Sequence, residues 1–116
     1  MITFDFETRS ELDLKKVGAW AYSEHPSTDV ICACYQIDAA PMREWWPWGA
    51  GGIEKRHGVT PANEMPADLE QALLAGDLIE AHNVSFEFSI WHNIMRHRYG
   101  WALPKLAQWR DTMAVA

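Results

Sequence analysis

Met1-Ile2-Thr3-Phe4-Asp5-Phe6-Glu7-Thr8 reads as a β-strand with two unlike faces. Ile2, Phe4 and Phe6 recur with period two and supply the bulk of a buried face. Asp5 and Glu7 alternate with them and point together to the other side. Two carboxylates about 6–7 Å apart on one strand face repel each other and add nothing to stability. The pattern therefore asks for positive charge between them, and a divalent metal ion suits such oxygen donors.

Around this strand the chain has the size and composition of one soluble domain. It holds 116 residues, 48% hydrophobic and 22% charged. It has no run of about 18 apolar residues to span a membrane. Asp5 follows too closely on Met1 for a signal peptide. Cys32 and Cys34 alternate in an apolar run, where reduced thiols of a cytoplasmic protein are expected. The net charge of −6 argues against a protein that coats nucleic acid through a broad basic surface. It leaves room for an enzyme that grips a strand end through metal ions. Arg96, Arg98, Lys105 and Arg110 outnumber Glu87 and Asp111 in the C-terminal third, so phosphate contacts outside a metal site belong there.

Further along, a helical turn is expected at Asp13–Val17, ended by Gly18, and a turn at Glu24–Asp29. Val30–Ile37 is the clearest second strand, and Met42–Trp46 a third after the turn Asp38–Pro41. Pro47–Met65 reads as a long surface loop. Pro66 opens a helix to about Leu74, stopped by Gly76. Leu78–Ala81 is a short strand, and Ser85–His97 a long helix with Phe86, Ile90 and Ile94 on its apolar stripe, closed by Gly100. Leu103–Ala107 and Thr112–Ala116 look helical, the latter cut off in its first turns. This order predicts a mixed α/β sheet flanked by helices in one domain, residues 1–116.

His82-Asn83-Val84-Ser85-Phe86-Glu87 lies where the short strand hands over to the long helix. Asn83 suits the N-cap, and Glu87 falls in the first turn, where the helix dipole favours a carboxylate. Stability alone would explain that placement. Strand ends are also where ligands bind in open α/β sheets, and the strand before Glu87 can lie beside the first. Three converging carboxylates would suit two hard cations, Mg²⁺ or Mn²⁺, poised for phosphodiester hydrolysis.

Asp5-Phe6-Glu7-Thr8 resembles the first motif of the DnaQ-like, or DEDD, 3′–5′ exonucleases. His82 to Glu87 resembles their second motif in the form found in phage-type family A DNA polymerases. Asp111-Thr112-Met113 resembles a stretch that follows it. The resemblance covers essentially the whole chain and implies an RNase H-like fold. It implies that Asp5 bridges two metal ions, Glu7 binds the first and Glu87, where most of the family has Asp, holds the second. Thr8, Asn83 and Phe86 would seat the terminal nucleotide. The implied activity is proofreading: release of nucleoside monophosphates from a single-stranded DNA 3′ end beside a polymerase domain.

The resembled family also carries a third motif, Tyr-x-x-x-Asp or His-x-x-x-x-Asp, which this sequence lacks. The C-terminal part of the fold is therefore expected to be missing, with weak activity or none. The alternative is a non-catalytic remnant that binds metal, a DNA end or a protein partner. An apolar sheet face left uncovered would favour self-association. Of the seven tryptophans, Trp45, Trp46 and Trp48 are candidates for base stacking, with at least one of Trp45 and Trp46 in the core. Trp20, Trp91, Trp101 and Trp109 are expected to pack. His82, His92 and His97 do not have the spacing of a zinc site.

Overall fold

The computed structural model describes residues 1–47 and 64–114. The first strand, β1 (Ile2–Arg9), lies in the middle of a five-stranded mixed sheet of order β3-β2-β1-β4-β5. On one side β2 (Asp29–Ile37) runs antiparallel to it along its full length, and β3 (Arg43–Trp45) continues antiparallel beyond β2. On the other side β4 (Ile79–Ala81) and β5 (Trp109–Asp111) run parallel to it. The expected α/β class is what the structure has: a mixed sheet flanked by helices, compatible with an RNase H-like fold.

Alternation along β1 does what the sequence predicts. Ile2, Phe4 and Phe6 are buried, and Thr3, Asp5 and Glu7 are exposed. The buried row continues across the sheet from Phe6 to Ala33 to Trp45. Onto this face the helices fold their apolar stripes: Leu69 and Leu73 from α3 (Ala67–Leu74), and Ile90 from α4 (Val84–Ile90). After Ile90 the helix widens to a π-helical stretch, Trp91–Met95, and then returns to α5 (Arg96–Tyr99). The widening falls where the Trp91 indole enters a cage formed by Phe4, Phe6, Trp101 and Trp109. Gly100, at φ 69°, ends the helix in the left-handed region open to glycine.

Two elements escape the sequence reading. Ser10–His25 contains not one helical turn but two helices, α1 (Leu14–Val17) and α2 (Ala19–Glu24), joined at Gly18 with φ 84°. The run Ala-Trp-Ala-Tyr alternates like a strand, which hides a helix that buries Tyr22 and Ser23. β5 is three residues long with one buried side chain, too short for any periodicity. The proposed helix at Leu103–Ala107 shrinks to a 3₁₀ turn, Leu106–Gln108. Thr112–Ala114 is likewise a 3₁₀ turn, and the rest of the helix read there lies outside the described residues. So do Trp48 and most of the loop read at Pro47–Met65.

The face opposite the core bears on the expectation of self-association. It carries Thr3, Asp5 and Glu7 from β1, with Gln36 and Cys34 across from them on β2 and Glu44 on β3. This face is polar and acidic, not apolar. Among the described residues, the apolar sheet surface that self-association is expected to bury is not found on this face. None of the helices there is long and apolar enough to cross a membrane.

Candidate functional site

β4 stops at Ala81 while β1 runs on to Arg9, so the last half of β1 has no strand on that side. Backbone N–H groups along a strand alternate in direction. That of Ile2 points toward β4 and reaches the Leu78 carbonyl at 2.7 Å. By the same alternation Phe6 N–H points the same way, but past the end of β4. Glu87 takes that place: its Oε2 accepts the Phe6 N–H at 3.1 Å. A side chain from the first turn of α4 thus extends the ladder that β4 leaves unfinished.

The cost is electrostatic. Glu87 is 4% exposed. Burial, then the neighbouring Asp5 carboxylate, push its pKa up to about 9, with a smaller push from Glu7. The Phe6 N–H works in the opposite direction and does not win. The Asp5 side chain lies within hydrogen-bonding reach of Glu87. The structure therefore brings Asp5 and Glu87 together, with Glu7 on the same face of β1 and within electrostatic reach. Among the described residues, no group of three His, Cys, Asp or Glu side chains converges tightly enough to hold an ion by itself. The donors present still fit a hard cation. Mg²⁺ is commonly held by one or two carboxylates, with water and substrate phosphate filling the remaining positions.

The three residues expected to seat a nucleotide take different places. Asn83 caps α4, accepting the Phe86 N–H at 3.4 Å through its side chain, and is exposed. Thr8 and Phe86 are joined by a residue that sequence reasoning missed. Tyr22, buried in α2, exchanges a 2.8 Å hydrogen bond with Thr8 Oγ1, and its ring lies 6.2 Å from that of Phe86. A register shift in the β1–β2 ladder falls between Glu7 and Thr8, leaving Ile31 as the extra residue on β2. Such a bulge bends the strand pair where these two side chains leave the sheet.

Asp111 has a structural task. Its carboxylate accepts the Val84 N–H at 3.3 Å and the Met113 N–H at 2.9 Å, tying β5 to the start of α4. Asp111→Ala leaves both donors without this partner and is expected to cost about 1–3 kcal/mol, read as a lower urea midpoint. Cys32 and Cys34 are free and lie opposite Glu7 and Asp5. Burial pushes the Cys32 thiol up to about 12, so it stays protonated and inert.

Acidic side chains thus gather where a short parallel strand of the α/β sheet ends, the position at which ligands bind in open sheets of this class. Over 99% of its length the chain is 31% identical to a DNA polymerase of Bacillus phage SP02. It spans about 15% of that relative. No family model matches the chain. No solved structure matches it either.

Proposed function

We propose that this chain is the acid-bearing part of a 3′–5′ exonuclease domain that serves a DNA polymerase. Its substrate would be the 3′ end of single-stranded DNA. The observation that carries the reading is Glu87: a buried carboxyl, drawn from another part of the chain onto β1 beside Asp5, with acidic neighbours only among the side chains that shift it. Similarity to a phage DNA polymerase along nearly the whole chain supports the polymerase setting. Asp5 and Glu87 would hold one divalent cation, Mg²⁺ or Mn²⁺, and Glu7 would contribute to a second from the same face. Two such ions stabilise both the attacking and the leaving oxygens of an in-line phosphoryl displacement. Phe6 N–H fixes the Glu87 carboxylate, and Tyr22 holds Thr8 near Phe86, where the terminal nucleotide would rest.

A second reading is a domain that binds metal or a DNA end without cutting. It is favoured by the lack, among the described residues, of a closed three-ligand group. Two measurements separate the readings. Mn²⁺ at about 100 times its dissociation constant should stabilise the folded chain by about 2.7 kcal/mol. That gain should vanish in Asp5→Ala and in Glu87→Gln, which keeps the acceptor for Phe6 N–H but removes the charge. Equal stabilisation of all three proteins would sink the metal site. Slow Mn²⁺-dependent loss of single nucleotides from a labelled 3′ end, abolished by Asp5→Ala, would then choose the exonuclease over the binder.

A further inference from the structure

Three rings from two helical segments meet on the surface outside the acidic site. The indole of Trp20, on α2, is 45% exposed, against the expectation that it packs away. It lies 6.4 Å from the Phe88 ring with planes 29° apart, and 5.4 Å from the His92 ring. Phe88 and His92, four residues apart along one continuous helix, stack at 5.8 Å and 17°. Beneath them the Phe88 ring meets Trp109 edge to face at 6.2 Å, which anchors the group to the core.

The charge beside the rings is mixed: the exposed Glu24 lies one helical turn on from Trp20, and Arg96 brings a cation to the His92 side. Burial, then Arg96 and His97, hold the His92 imidazole below its ordinary value, so at neutral pH it offers a ring face and not a cation. Arg96 is exposed, one helical turn on from His92, with its guanidinium 3.0 Å from the His97 imidazole. In a chain of net charge −6, Arg96 gives this exposed aromatic group a cation on its His92 side. An aliphatic protein surface has no use for that cation. A polyanion with flat π faces does.

We propose that Trp20, Phe88 and His92 form a stacking platform for one or two bases of single-stranded nucleic acid, with Arg96 meeting the adjoining phosphate. The ligand class rests on the exonuclease reading above. The platform adds a binding site reached along α4, because Phe88 directly follows Glu87.

The test is fluorescence anisotropy of labelled oligo(dT) with the full chain in EDTA, so that no metal contributes. Trp20→Ala should weaken binding by about tenfold or more, and Trp20→Phe should recover most of it. Arg96→Ala should make the salt dependence shallower by about 0.7 in log–log slope, the value for one phosphate contact on a single strand. Parent-like binding by Trp20→Ala would overturn the platform, as would a parent that does not bind in EDTA. Light scattering supplies a further check: dimers of the parent that dissociate in Trp20→Ala while oligo(dT) binding persists would assign the patch to a second copy. Failure of Mn²⁺ stabilisation with Trp20-dependent binding intact would remove the metal site and leave the platform standing.

Discussion

In metal-free buffer the protein should become less stable by several kcal/mol as pH rises from 4.5 to about 9, and Glu87→Gln should remove most of that loss. Glu87 has an ordinary value of 4.5 when unfolded and about 9 when folded. Between those values the folded state holds a proton that the unfolded state has released. Its contribution is therefore fully present below 4.5 and is lost as pH climbs through the folded value. Each tenfold difference in proton affinity is worth about 1.4 kcal/mol, which makes Glu87 the largest single source of slope in this window.

Other groups do not imitate it. His92, held low mainly by burial, gives the opposite sign: its contribution grows as pH rises toward 6.5. The N-terminal amine, raised by Asp38, titrates in the same window, but the pair is exposed and salt screens it. Cys32 and Tyr99, both pushed up to about 12 chiefly by burial, titrate beyond the window. Urea midpoints measured in moderate salt across the range would expose the Glu87 slope. Glutamine imitates the protonated acid in shape and keeps an acceptor for Phe6 N–H, so the variant should follow the parent at low pH and exceed it at high pH. Parallel curves for the two proteins would mean that Glu87 is not buried beside Asp5.

What the sequence revealed depended on periodicity, and what it hid depended on pairing. β1 announced itself because Phe4 and Phe6 alternate with Asp5 and Glu7 over enough residues to show a period of two. The Asn83 cap, the helix after it and the Gly100 stop follow from residue chemistry that acts within one turn. β5 has no local signal of its own and exists because β4 offers it a parallel edge. The site shows the same division. Asp5 and Glu7 were legible as acids alternating along β1, and Glu87 as an acid in the first turn of α4. The reason Glu87 reaches Phe6 was not, because it lies in β4 being shorter than β1. Tyr22 was missed for a related reason: its importance lies in a bond to Thr8 and a ring contact with Phe86, neither of them a sequence neighbour.

Trp91→Ala should cost about 3–5 kcal/mol, a large share of the roughly 5–15 kcal/mol that holds a domain of this kind folded. The Trp91 side chain is fully buried, with ring centroids 4.8 Å from Phe4, 5.9 Å from Phe6, 5.5 Å from Trp101 and 5.7 Å from Trp109. Its Nε1–H donates to the Ala102 carbonyl at 2.9 Å, so truncation opens a cavity and removes that donor as well. Trp101 and Trp109 already bury indole N–H groups that have no acceptor among the described residues, which leaves the cluster dependent on close ring packing. The consequence reaches the acids. Phe4 and Phe6 flank Asp5 along β1, and Phe6 also supplies the N–H that fixes Glu87. Trp91→Phe fills most of the space and should keep both the fold and the Mn²⁺-dependent stabilisation. Trp91→Ala should weaken both together, because β1 then loses its rigid backing. An unfolding free energy from urea titration of Trp91→Ala within about 0.5 kcal/mol of the parent's, the range typical of surface changes, would show that this aromatic cage does not carry the strand.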